Sequence, residues 1–179
     1  MTDAAKAQSE ATIPADDPQR TLTVANPDNP TLPHVSIAGD TYTILVSGAE
    51  TAGRYCLIDM HVPAGGGPPP HRHDFEEMFT LLQGELEFTF RGETSTIRAG
   101  SSVNIPANAP HAFRNASNTA VRMLCMATPA GLDEFFLAIG DLVGSRTAPP
   151  PNLTPEEIGE RQKRAGSLLA KYRTEMVTM

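Results

Sequence analysis

Between residues 41 and 128 the chain is a succession of short apolar-polar runs separated by Gly, Pro and Asn. Runs rich in Val, Ile, Thr, Tyr and Phe occupy residues 41–47, 54–62, 77–83, 86–90, 94–98, 102–105, 111–115 and 120–127. They recur every ~8–12 residues with a period of two, the pattern of an all-β sandwich or barrel built from half-buried strands. In the run 86–90, Leu86, Phe88 and Phe90 alternate with Glu87 and Thr89, so the three apolar residues face inward. Phe79, Leu81 and Phe113 are assigned inward on the same grounds, whereas Arg72 and Arg114 are assigned outward. Gly84-Glu85 and Arg91-Gly92 are placed as hairpin turns.

The flanks have a different texture. Residues 1–34 hold few large aliphatics among prolines and acids, too few to offset the entropy of ordering that stretch. Residues 1–18 are therefore expected to be a mobile tail, and residues 19–37 an arm that docks on the body or on a partner subunit; His34 in this arm is expected to be solvated. Residues 19–130 would form the β domain, and residues 131–179 a helical C-terminal extension packed on it. Leu132, Phe135, Phe136 and Ile139 fit one helical face. A second helix is signalled by Thr154 as N-cap, Pro155 in the first turn and Glu157 three residues on. Ile158, Ala165, Leu168, Leu169, Tyr172 and Met176 continue its stripe, read as a lid on the β domain or a dimer contact rather than a binding surface.

Composition removes several classes of function. The 179 residues carry a net charge of -7, with 14 Lys+Arg against 21 Asp+Glu and no basic cluster, which argues against nucleic acid and anionic membranes as partners. No apolar run approaches the ~20 residues of a membrane span. The first residues lack the basic and apolar regions of a secretory signal, so a cytoplasmic location is expected. Cys56 and Cys125 lie in apolar runs and read as buried thiols in a reducing compartment.

Chemistry concentrates in two places. Three glycines and three prolines, residues 65–70, lead into His71-Arg72-His73, followed by Glu76 and Glu77. On a strand His71, His73 and Glu77 share parity, while Glu76 has the opposite one; a bulge between 73 and 77 would reverse that choice. Downstream, Pro106 and Pro110 bracket a turn that delivers His111 to the start of another strand. Three imidazoles and one carboxylate suit a divalent transition metal, and the absence of thiolates argues against a structural zinc site. Four protein donors on an ion that prefers six leave about two positions for water, substrate or dioxygen. His61 is read as a satisfied histidine and Asn115 as a hydrogen-bonding residue. The glycine run is read as a loop, because no strand-loop-helix context or Lys-Ser/Thr follows it.

These residues resemble the two motifs of the cupin superfamily. Gly65, His71, His73, Glu77 and Gly84 fill the fixed positions of the first motif; Gly100, Pro106, His111 and Asn115 match the second. Asn108 stands where the second motif has glycine, and Asn is the side chain most tolerant of positive φ. The segment after residue 129 resembles the quercetin-dioxygenase-like subset. The resemblance implies a small conical antiparallel β-barrel (a double-stranded β-helix or jelly roll) with C-terminal α-helices, a homodimer, and one Fe, Mn, Ni, Co, Cu or Zn ion held by His71, His73, Glu77 and His111.

The function expected first is a metal-dependent dioxygenase acting on a small phenolic or enolisable compound, with Glu77 as catalytic base if it loosens from the metal. A redox-neutral isomerase, decarboxylase or lyase is the alternative. A non-catalytic small-molecule binding barrel is the third reading, because one fold hosts many activities.

Overall fold

The computed structural model describes residues 13–179, so most of the expected tail, residues 1–18, lies outside the described residues. In chain order the elements begin with β1 (His34–Ile37), β2 (Asp40–Val46), β3 (Cys56–Val62), β4 (His71–His73), β5 (Glu76–Gln83), β6 (Glu85–Phe90) and β7 (Glu93–Arg98). They continue with β8 (Ser102–Ile105), β9 (His111–Arg114), β10 (Val121–Thr128), α1 (Leu132–Ile139), β11 (Asp141–Val143), α2 (Pro155–Leu168) and β12 (Thr174–Met176). Each of the alternating runs read from the sequence is a strand.

The strands pair as two separate antiparallel sheets, a seven-stranded sheet of order β11-β1-β2-β3-β10-β5-β8 and a five-stranded sheet of order β12-β4-β9-β6-β7. No ladder closes the two into a ring among the described residues, so the architecture is a two-sheet jelly roll with two helices rather than a fully closed cone. Between the sheets lies an apolar core in which Phe79 of β5 meets Phe113 of β9 edge-on at 5.4 Å and Phe88 of β6 at 6.3 Å. Phe79, Leu81, Phe88 and Phe113 are all buried, and Arg72 and Arg114 are exposed, as their parity requires.

Several expectations are corrected. Arg91-Gly92 closes a true hairpin between β6 and β7, but Gly84-Glu85 does not, because β5 and β6 belong to different sheets. The turn at Gly84 carries the chain from one sheet to the other. The end of the proposed arm is strand β1, which pairs with both β2 and β11. His34 is therefore 2% exposed, not solvated; its Nδ1 lies 2.7 Å from Thr43 Oγ1 and its Nε2 3.2 Å from the carbonyl of Asn29.

Residues 131–179 are not purely helical. They contribute β11 to one sheet and β12 to the other. Helix α2 starts as read, with a complete capping box between Thr154 and Glu157 and Pro155 in the first turn. It ends at Leu168, short of the stripe's last members, because Arg173 adopts φ 56° and Thr174 begins β12. Arg161 pairs with Asp141 at 2.6 Å, and Arg164 donates to the carbonyl of Ile139 at 2.8 Å, tying α2 to the β11 and α1 side. Among the described residues no helix is long and apolar enough to cross a membrane. Both cysteines are free and buried.

Candidate metal centre

His71 and His73 sit on β4 and His111 on β9, in the five-stranded sheet, where His71 and His111 are direct cross-strand partners. Glu77 sits on β5, in the seven-stranded sheet opposite. The four side chains thus close on one another from the two walls of the sandwich, with donor atoms all within 4.8 Å of one another. The parity count reached Glu77 although it crossed a break: bends at Asp74 and Phe75 separate β4 from β5. Glu76 points away and is occupied, accepting from the Ala107 N–H at 3.1 Å and from Asn104 Nδ2 at 3.2 Å.

The hydrogen bonds fix the tautomers. His71, His73 and His111 each place Nδ1 2.9–3.0 Å from a backbone carbonyl, those of Pro69, Phe75 and Ala109 respectively. A carbonyl only accepts, so Nδ1 carries the hydrogen and Nε2 of each neutral ring is a lone pair. His73 Nε2 lies 3.0 Å from Glu77 Oε2, and His111 Nε2 lies 3.3 Å from the same oxygen. His111 Nε2 is fully buried with no hydrogen-bond partner. Lone pairs of neutral imidazoles facing a carboxylate at this distance repel unless a positive charge stands between them. A divalent ion at ~2.1 Å from each donor, with donors then ~3–4 Å apart, meets that requirement.

Burial opposes a charge on Glu77; positive charge facing it from the His111 and His73 side, as imidazolium or as a bound ion, holds the carboxyl below the usual range. Burial, with the neighbouring His111, pushes His71 down to about 4, which keeps that ring neutral and available as a donor near pH 7. The other Glu77 oxygen, Oε1, accepts from the Cys125 thiol at 3.2 Å.

The cluster opens into a cavity of about 230 Å³. Met60, Phe79 and Phe113 wall it from the sheets, and Phe136 of α1, Leu169 and Met176 close it from the C-terminal segment. Thus part of the stripe read as a mere lid lines the cavity, a correction with a simple cause: the chain after α2 turns back and pairs β12 with β4, setting Thr174 opposite His73 and Met176 opposite His71. Arg173–Asp74 and Arg72–Glu175 ion pairs flank that pairing. Asp40 and Tyr42 of β2 also line the cavity. Sequence reasoning placed Tyr42 on a strand but singled out neither; the period-2 alternation through 40–46 was the signal available. His61 is not among the lining residues. Asn115 is fully buried and donates to the carbonyls of Val62 and Thr119, as read.

The family described as Cupin domain matches residues 58–127, the stretch that contributes His71, His73, Glu77 and His111. The chain is 27% identical over 127 residues to quercetin 2,3-dioxygenase of Bacillus subtilis (strain 168), covering 70% of this chain and 37% of that protein. It is 32% identical over 100 residues to polyketide synthase CurC of Streptomyces cyaneus, covering 54% of this chain and 64% of that one. It spans less than two thirds of the length of these relatives. Among solved structures, a predicted oxalate decarboxylase from Thermotoga maritima superposes with a TM-score of 0.53 at 22% identity, covering 59% of this chain and 98% of that one, a likeness of fold.

Proposed function

We propose that the chain holds one divalent transition-metal ion at His71, His73, Glu77 and His111 and acts as a dioxygenase-like oxidoreductase on a small phenolic or enolisable compound. The observation that carries this reading is the convergence of three imidazole lone pairs and one carboxylate oxygen at the end of an apolar cavity. The similarity to quercetin 2,3-dioxygenase supports the choice of chemistry. A bound ion would supply Lewis acidity and, if redox-active, electron exchange with dioxygen. The chain's own residues supply the rest. Phe79, Phe113 and Phe136 offer flat apolar walls to an aromatic substrate and exclude water from it. The backbone carbonyls of Pro69, Phe75 and Ala109 hold the three rings in the ligating tautomer.

The test is oxygen uptake. Protein loaded in turn with Fe(II), Mn(II), Ni(II), Co(II) or Cu(II) is mixed with a flavonol panel in air and under argon. Oxygen consumption and product in air alone are expected; no uptake with any ion overturns the dioxygenase reading. The similarity to a polyketide synthase component favours one second reading, a redox-neutral reaction in the same cavity. Product formed under argon by zinc-loaded protein would select it.

A further inference from the structure

The cavity carries a second polar feature besides the candidate ligands His71, His73 and Glu77 that line it. Tyr42 and Asp40, two residues apart on β2 and therefore on one face, both line it. The Tyr42 hydroxyl donates to Asp40 Oδ2 at 3.0 Å, and the Gly67 N–H donates to the same oxygen at 3.1 Å. Asp40 is 2% exposed, and its other oxygen, Oδ1, is buried with no hydrogen-bond partner. Among the described residues no cationic side chain of Lys or Arg lines this cavity. A buried carboxylate with neither a cation nor a full set of donors is costly, and such groups persist where they have work to do.

The surroundings keep the pair in place. A Cβ on Gly66 would collide with Asp40 Oδ1, and one on Gly67 would collide with the Phe113 carbonyl, so the loop can approach the carboxylate only as glycine. The Tyr42 ring stacks on Phe136 at 4.5 Å, which fixes the direction of its hydroxyl. Glu77 is a poor candidate for moving a proton, because Oε2 faces two imidazoles and Oε1 is taken by Cys125.

We propose that Tyr42 and Asp40 form the proton-accepting dyad of the cavity, Tyr42 meeting a hydroxyl of the bound phenolic or enolic compound and Asp40 receiving the proton. This rests on the metal-dependent reading above and names the chain's base for it. The step balances. The substrate O–H bond breaks and its proton goes to the Tyr42 oxygen, while the Tyr42 proton passes to Asp40 Oδ2. The products are a substrate oxyanion, a neutral tyrosine and a neutral carboxylic acid. The carboxyl suits the role: burial, only partly offset by its bonds to Tyr42 and Gly67, pushes it up to about 6, so it is ionised at pH 7 and still ready to take a proton. The groups that act on Tyr42 are Asp40 on its own strand, Cys125 on β10 and Glu77 on β5; burial first and then these three favour its neutral, proton-relaying form.

Zinc-loaded protein and 3-hydroxyflavone, whose anion absorbs at longer wavelength than its neutral form, separate the possibilities. Calorimetry in buffers of different ionisation enthalpy counts the protons released on binding at pH 7, and absorbance reports the state of the bound probe. Wild type is expected to bind the anion while releasing almost no proton, because Asp40 keeps it. Asp40→Asn is expected to release about one proton more per probe bound. Tyr42→Phe keeps the ring on Phe136 and decides the matter if Asp40→Asn fails to fold; its affinity for the probe is expected to fall about tenfold with zinc affinity within about twofold. Unchanged proton release in a folded Asp40→Asn, or unchanged probe affinity in Tyr42→Phe, overturns the dyad while leaving the metal reading intact. Wild type that takes up neither zinc nor the probe overturns both.

Discussion

The outer face of the seven-stranded sheet and the space between the two sheets each bury a histidine and an aspartate, with opposite consequences. On the face turned away from the five-stranded sheet, His34, Thr43 and Asp59 stand side by side on β1, β2 and β3. Both ring nitrogens of His34 have partners there, and fully buried Asp59 is paired with the Arg122 guanidinium at 2.7 Å. Between the sheets, His111 keeps an orphaned Nε2, and Asp40 has no Lys or Arg beside it among the described residues lining the cavity. Burial alone therefore does not mark a functional side chain. Asp59 Oδ1 also lacks a partner, so what distinguishes the inner set is an uncompensated carboxylate and an imidazole lone pair that no Lys or Arg among the described residues lining the cavity offsets.

Removing the outer cation gives the largest expected effect. Arg122→Ala leaves Asp59 buried and uncompensated, with Oδ1 already lacking a partner. Denaturant unfolding should show a loss of about 3–5 kcal/mol, while metal affinity measured by titration stays unchanged. A variant as stable as wild type would show that the outer set is no better satisfied than the inner one.

Next in size is the pH response of the inner aspartate. Its carboxyl is raised from 3.8 to about 6, chiefly by burial, so the folded state binds this proton more tightly than the unfolded chain does. The stability that protonation contributes is complete below about pH 3.8 and is lost as pH rises through about 6. The shift corresponds to about 3 kcal/mol. Metal-free Asp40→Asn should therefore gain on wild type by about 2 kcal/mol between pH 4 and pH 7, read from urea unfolding at each pH. Parallel stability curves for the two proteins would remove the claim that Asp40 is an uncompensated charge.

The paired histidines sharpen the contrast further. His111→Ala should weaken zinc or manganese binding by more than about a hundredfold, beyond the loss of an outer partner. His34→Ala should leave that affinity within about twofold and instead cost about 1–3 kcal/mol, because Thr43 loses its buried partner. Comparable effects on metal binding from both would mean that the orphaned nitrogen is not what matters.

The same contrast explains what the sequence made legible. Period-2 alternation located β8 to the residue and its neighbours to within a residue or two, because half-buried strands write their burial into alternate positions. The cluster of candidate donors is legible because His-x-His and the two prolines before His111 are local signals. Strands β1, β11 and β12 are not legible in the sequence: each is only 3–4 residues long, and β11 and β12 pair with strands far away in sequence. His34 looks solvated in the sequence because the prolines and polar residues before it hide the short strand β1, whose register with β2 sets it against Thr43. The Asp40–Tyr42 pair was invisible as chemistry because its meaning comes from the glycine loop and α1 packed around it.

The smallest expected effect tests the one choice that parity made between adjacent residues. Glu76 and Glu77 have the same side chain, and a strand turns them to opposite sides. Glu76 accepts from the Ala107 N–H at one oxygen and from the Asn104 amide at the other; a glutamine oxygen keeps the first bond, and its N–H can donate to the Asn104 oxygen once that exposed amide is turned over. Glu76→Gln should therefore cost no more than about 1 kcal/mol and change metal affinity by less than about twofold. Glu77→Gln removes the only negative charge in the cluster of donors, and a neutral amide is a weaker donor to a hard or borderline cation. Its metal affinity should fall at least about tenfold. Equal responses from the two variants, measured in one titration series, would mean that the carboxylate on the cavity side does no more for the ion than the one bound to the loop.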